Sequence, residues 1–127
     1  EKLLSDPRPA EERLYLFAER GGQDVLKLMK WMPLSYDFIA MAFRQEPIRK
    51  AISHYYQKNI ELLEKIVQQG IDSGEFRDIS ALDAAIAIGA IFEGTIVLWF
   101  YDPDNIIIRE RIETNLGLFL TGIVSRG

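Results

Sequence analysis

Gln69-Gly70-Ile71-Asp72-Ser73-Gly74-Glu75-Phe76-Arg77-Asp78, followed closely by the almost wholly apolar run from Ala81 to Tyr101, decides the fold. Gly74 offers the left-handed residue at which helices commonly stop. The apolar-striped segment ahead of it, Ile48 to Ser73, therefore reads as one long helix. Ser80, with Asp83 three residues on, is a capping-box-like start for the next helix. That second helix is apolar around its whole circumference, and a helix with no wet face has to be covered on every side. In a chain of 127 residues its own fold covers only part of it, so the rest is expected to meet a second copy.

Outward from this stretch, helical periodicity continues in both directions, while alternation of period two appears over no useful length. Asp6-Pro7-Arg8-Pro9 reads as a break and restart, with Asp6 as cap and Glu11 and Glu12 near the positive helix end. The helix that follows carries Leu14, Phe17 and Ala18 on one face, and either runs through Gly21-Gly22 to Lys30 or breaks there, since each interior glycine costs about 1 kcal/mol against alanine. Pro33 ends that segment, and an aromatic-rich helix is predicted from Leu34 to about Gln45. Glu46-Pro47 starts the long helix, whose stripe is Ile48, Ile52, Tyr55, Asn59, Leu62 or Leu63, Ile66 and Gly70. Asp102-Pro103-Asp104-Asn105 is expected to end the apolar helix and cap the last one. In that last helix Ile108, Ile112, Leu116 (or Asn115), Phe119 and Ile123 recur at helical spacing, widened by Leu120 and Val124. The fold class is all-α, with about five helices.

Composition narrows the function classes. A chain of 127 residues defaults to one domain, and folding at this size buries roughly two-thirds of its surface. It contains no cysteine, which excludes disulfides and thiolate metal sites. The net charge is −4 and no basic stripe is present, so this chain alone is not expected to grip nucleic acid. Ala81 to Tyr101 is about long enough to span a bilayer, yet Asp83 and Glu93 interrupt it, and carboxylates facing lipid are costly. It reads as a buried helix of a soluble, cytoplasmic protein with no membrane partner.

No set of residues converges on catalysis. His54 is the lone histidine, and Ala51 stands where a Glu-x-x-His di-iron motif needs its carboxylate. No metal site, cofactor or catalytic residue is assigned. Glu93 is of more interest, lying among apolar neighbours in Ile91-Phe92-Glu93-Gly94-Thr95-Ile96. A buried carboxylate needs a partner or a raised pKa. Glu93 is thus either a hydrogen-bonded structural group, an edge of a dimer, or the polar anchor of a ligand pocket. At about 100° per residue, Phe92, Ile96 and Trp99 fall together on one face, assigned to the protomer interior. Ile91, Gly94 and Leu98 fall on the other, assigned to a dimer. Aromatics with polar tips suit a mostly apolar cavity. The pocket residues expected from helix faces are Tyr36, Phe43, Tyr55, Asn59, Phe92, Ile96 and Trp99, with Glu93 as a polar contact.

Taken in order, Gly70, Gly74 and Phe76, the paired Ala84-Ala85, the mid-helix Glu93-Gly94 and the terminal Gly122-Ile123 resemble the C-terminal regulatory domain of the tetracycline-repressor (TetR) family. The resemblance covers nearly the whole chain and is strongest from Pro47 to Ile123. It implies a homodimer in which the last two helices of each protomer form a four-helix interface, drawing in Ile112, Leu116, Phe119, Leu120 and Ile123 beside Ile91, Gly94 and Leu98. It also implies a cavity for a small apolar or aromatic effector. Operator DNA would be read only by an N-terminal helix-turn-helix not present in this chain. Residues 1–127 are accordingly expected to form a single effector-binding and dimerisation domain of a transcriptional regulator, a repressor and not an enzyme. The alternative is a helical homodimeric interaction module with no small-molecule ligand.

Overall fold

A computed structural model describes residues 2–31 and 36–125. It contains five helices: α1 (Ala10–Trp31), α2 (Tyr36–Arg44), α3 (Glu46–Asp72), α4 (Ala81–Tyr101) and α5 (Ile108–Ile123). Among the described residues the one extended pairing is an isolated antiparallel bridge between Phe76 and Val124, so the fold is an all-α bundle. α3 and α4 form the most extensive pair, α5 lies against α4, α1 packs on both α3 and α5, and α2 rests on α3. One core joins Leu14 of α1, Leu63, Ile66 and Val67 of α3, Ala84, Ala85 and Ile88 of α4, and Leu116 and Leu120 of α5. Burying each of the large members contributes roughly 1.5–3 kcal/mol.

The stretch that decided the fold also ties it together. Gly74 ends α3 at φ +81°, a left-handed conformation with no penalty for glycine. The chain then turns back, and Phe76 drops into the core against Gly70. A β-carbon on Gly70 would lie 2.5 Å from Phe76 Cε2 and 2.9 Å from the Ala10 β-carbon, so only glycine lets ring and helix approach this closely. Glu75 reaches across to the start of α1, where its carboxylate accepts hydrogen bonds from Ala10 N (2.8 Å) and Glu11 N (2.9 Å). On the other side Arg77 N donates to Ile123 O (2.8 Å), the Arg77 guanidinium donates to Gly122 O, and Ser125 N donates to Glu75 O (3.0 Å). A carboxylate at one helix N-terminus and a guanidinium at another's C-terminus both oppose the helix dipoles.

Three local expectations are corrected. Asp6 does not cap α1; it accepts from Arg8 N (2.9 Å) and the Arg8 guanidinium, whose hydrogen bonds hold its carboxyl well below the usual carboxylate range. Asp102 to Asn105 closes on itself, Asn105 Nδ2 donating to the Asp102 carboxylate at 3.1 Å. α5 begins later, at Ile108, behind Ile107, which supplies no side-chain cap. The third correction concerns the stripe of α5. Ile112, Leu116, Leu120 and Ile123 are buried in the protomer's own core and Phe119 packs partly against it, so these residues are covered without a partner. The spacing was right; the surface that covers it is α1 and α4 of the same chain.

Other readings hold. α1 runs unbroken through Gly21-Gly22, and Ser80 Oγ accepts from Asp83 N at 3.1 Å. The expected break at Pro33 lies outside the described residues. Arg13, 7% exposed, anchors the leading segment: its guanidinium donates to Leu3 O (3.1 Å) and to Gln69 Oε1, while Gln69 Nε2 donates to Leu4 O (3.3 Å).

Candidate functional site

Toward the end of the bundle where α3 begins, α1, α3 and α4 part around a cavity of about 400 Å³, within the size range of small-molecule sites. Each wall is one face of a helix, as residues three and four apart require. α1 contributes Phe17, Arg20, Gly21 and Asp24. α3 contributes Ile52, Tyr55, Tyr56 and Asn59, with Ile60, Leu62 and Leu63 deeper. α4 contributes Gly89, Phe92, Glu93 and Ile96, and Leu3 reaches in from the leading segment. The cavity exists partly because two walls carry glycine. A β-carbon on Gly21 would meet only Phe92 Cε1, at 3.6 Å, and one on Gly89 would press Ile60 Cδ1 at 3.0 Å. Across the cavity Phe17 and Phe92 stack edge to face, with centroids 5.7 Å apart, a geometry worth about 0.5–1.5 kcal/mol beyond burial.

Five of the expected pocket residues line this space together: Tyr55, Asn59, Phe92, Glu93 and Ile96. Phe43 does not; it stands on α2 with 61% of its surface exposed. Trp99 lies one turn beyond Ile96, half-buried against the core and edge-on to Phe100, with ring centroids 5.2 Å apart. The side chain of Tyr36 lies outside the described residues. Glu93 is exposed at the cavity rim and is not a buried carboxylate. Sequence reasoning missed the α1 wall and Tyr56. Its readable signal was a helix that runs through two adjacent glycines, which marks a face where side-chain volume is withheld.

Among the described residues the charged lining is Arg20, Asp24 and Glu93, all solvent-exposed. Among the described residues none of the three forms a hydrogen bond or ion pair with another side chain. The remaining described lining is apolar or aromatic apart from Asn59 and the tyrosine hydroxyls. His54 is exposed on α3 and does not join it.

A second surface lies on the outside of α4 and α5. α4 is long and apolar enough to cross a bilayer by length and composition, with mean hydropathy 1.8 over its 18-residue window. Here α3 and α5 flank it, and only 28% of that window is buried. Leu82, Ile86, Val97 and Leu98 remain exposed, as does Leu118 of α5 at 72%. Gly94 faces open space with nothing near its missing β-carbon, and Ile91 is half-buried. Leu98 and Gly94 thus lie on the exposed side of α4, while Ile91 is half-buried like Phe92, Ile96 and Trp99.

No protein-family model matches this sequence, and no curated protein matches it either. Among solved structures, the fold is similar to that of a transcriptional regulator from Cytophaga hutchinsonii, with a TM-score of 0.79 and 22% sequence identity. The similarity covers 98% of this chain and 66% of that one.

Proposed function

We propose that this chain is the effector-binding and dimerisation domain of a TetR-like transcriptional regulator, a repressor released from its operator by a small, mostly apolar molecule. The cavity between α1, α3 and α4 carries the proposal: about 400 Å³, walled largely by aromatic and aliphatic side chains, with a few polar groups gathered at the rim. Its fold-level similarity to a transcriptional regulator supports a regulatory role. The bare apolar strip of Leu82, Ile86, Val97, Leu98 and Leu118 supports a second copy as its cover. Large exposed apolar surfaces usually mark an interaction site. Contact with operator DNA belongs to a helix-turn-helix outside these residues. The protein performs no chemistry on its effector.

A helical interaction module without a ligand would use the same outer strip, but has no use for the cavity. A thermal-shift screen of small apolar and aromatic molecules separates the two, run on the wild type and on Gly21→Leu, which fills the space. A ligand at about a hundred times its Kd stabilises by about 2.7 kcal/mol, a rise in Tm of about 10 °C for a chain of this size. The expected result is such a rise in the wild type and none in Gly21→Leu. A broad panel that shifts neither protein would leave the interaction module as the better account.

A further inference from the structure

We infer that Asn59 is the recognition group of the cavity, and that its ligand is an uncharged, flat, mostly apolar molecule bearing an amide edge such as a lactam. This deepens the effector-binding reading above and rests on it. Asn59 belongs to the inward ridge of α3, where Ile52, Tyr56, Leu63, Ile66 and Gly70 recur at helical spacing. Asn59 stands where the packed half of α3 begins, beside buried Ile60 and one turn before buried Leu63, and it lines the cavity. It is half-buried, and among the described residues its amide has no hydrogen-bond partner. The other polar side chains of the described lining, Arg20, Asp24, Tyr55, Tyr56 and Glu93, are all exposed. Asn59 is therefore the polar group set into the wall and not at the rim.

A leucine at this position would continue the ridge and add apolar surface to the core. An amide gives that up, and an amide shielded from water without a partner is costly. A side-chain amide presents an acceptor oxygen and N–H donors side by side. Its complement is a second amide edge, a carbonyl beside an N–H, which pairs with Asn59 through two hydrogen bonds whichever way the side-chain amide is turned. A full charge would be poorly held so close to Ile60, Leu62 and Leu63, where an ion loses its water without recompense. The body of the ligand then lies toward Phe17, Tyr56 and Phe92, and its polar end enters first. A site built to hydrogen-bond one group discriminates against analogues lacking it, because its own polar atoms are then left unpaired.

Two flat bicyclic probes of similar size test this, the lactam carbostyril and the hydrocarbon naphthalene. Their affinities are measured by equilibrium dialysis on wild type, Asn59→Leu and Gly21→Leu. Because the probes differ in hydrophobicity, the readout is the change in their affinity ratio between proteins, which isolates the contact. Asn59→Leu should weaken carbostyril about tenfold. It should bind naphthalene at least as tightly as wild type does, which also reports an intact fold. N-methylation of carbostyril removes the donor, and should weaken binding to wild type but not to Asn59→Leu. If Asn59→Leu leaves the affinity ratio unchanged, or if N-methylation weakens binding to both proteins equally, the Asn59 assignment is overturned while the cavity reading stands. If neither probe binds wild type, or if Gly21→Leu binds both like wild type, the cavity reading falls and the Asn59 assignment falls with it.

Discussion

Removing the Glu75 carboxylate tests whether the turn between α3 and α4 holds α1 in place. Glu75 accepts from Ala10 N at 2.8 Å and Glu11 N at 2.9 Å, two of the donors that a helix start leaves without partners inside the helix. Ala10 is almost fully buried, so its N–H cannot turn to water when the carboxylate is lost. Leaving such a donor unsatisfied costs about 1–3 kcal/mol. The Glu11 N–H is better placed to find solvent, and its loss should lie near the lower end of a cap deletion, about 0.5 kcal/mol. Losing a negative charge at the helix N-terminus adds roughly 0.3–1 kcal/mol. Glu75→Ala should therefore lose about 2–4.5 kcal/mol. Glu75→Gln keeps one acceptor and should lose about 1 kcal/mol. Glu75→Asp is one carbon too short to reach and should resemble alanine. Urea unfolding followed by helical circular dichroism measures all three, at one protein concentration because self-association of any kind makes the midpoint depend on concentration. Asp6→Ala is the informative control, since Asp6 is the residue the local sequence marks as the cap. A Glu75→Ala loss below about 0.5 kcal/mol, or an Asp6→Ala loss as large, would refute the long-range cap.

Four further outcomes follow from the same packing. Gly70→Ala puts a β-carbon 2.5 Å from Phe76 Cε2, so it should lower stability by about 3 kcal/mol, the upper part of the overpacking range, and Phe76→Leu in the same chain should recover part of that in thermal unfolding. Ser80→Ala removes the acceptor for Asp83 N and should cost about 1 kcal/mol by the same measurement. Gly21→Leu should raise the unfolding midpoint by replacing a helix-interior glycine, worth up to about 1 kcal/mol, even as it abolishes ligand binding; a drop in stability would mean that the space beside Phe92 is not free. Leu98→Glu should give a folded monomer by sedimentation velocity while Leu116→Glu unfolds the chain, since Leu98 is 45% exposed and Leu116 is fully buried; a Leu98→Glu dimer would place the partner elsewhere.

What was legible in the sequence was local. Gly74 as a left-handed stop, Ser80 as a cap and the period of α5 depend on residues within one or two turns, and each is found as expected. The start of α1 was not legible, because its cap is 65 residues away and only the folded turn brings Glu75 there. The misassignment of Ile112, Leu116, Leu120 and Ile123 has a different origin. An apolar stripe says that a face is covered; it cannot say whether by the same chain or another. Leu118, the α5 leucine left most exposed, breaks the stripe, so its spacing alone does not single it out. In the cavity, the α3 and α4 walls were readable because aromatics fall on one face. Arg20 and Asp24 carry no signal of a site in the sequence; only the approach of α3 and α4 turns their face of α1 into a rim.

The positions of burial and capping also divide the bundle along its length. In α3 the buried residues begin at Ile60 and end at Gly70, whereas the turns from Glu46 to Lys58 are exposed. In α4 they cluster from Ala81 to Ile88, with Thr95 the one further member. The caps and cross-links of Glu75, Arg77 and Ser125 all lie at this same end. Most of the packing energy is therefore concentrated at the end that carries the α3–α4 turn. The opposite end holds its apolar residues, Ile52, Tyr55, Tyr56 and Phe92, around empty space. Local opening is least costly where apolar contacts are few. That half of α3 should exchange its amide hydrogens well before the half from Ile60 onward. A ligand that fills the cavity supplies the contacts this end lacks, so its protection should appear there first and leave the capped end unchanged. Uniform protection of the whole bundle on ligand binding would mean that the two ends open together and that the division by burial has no energetic counterpart.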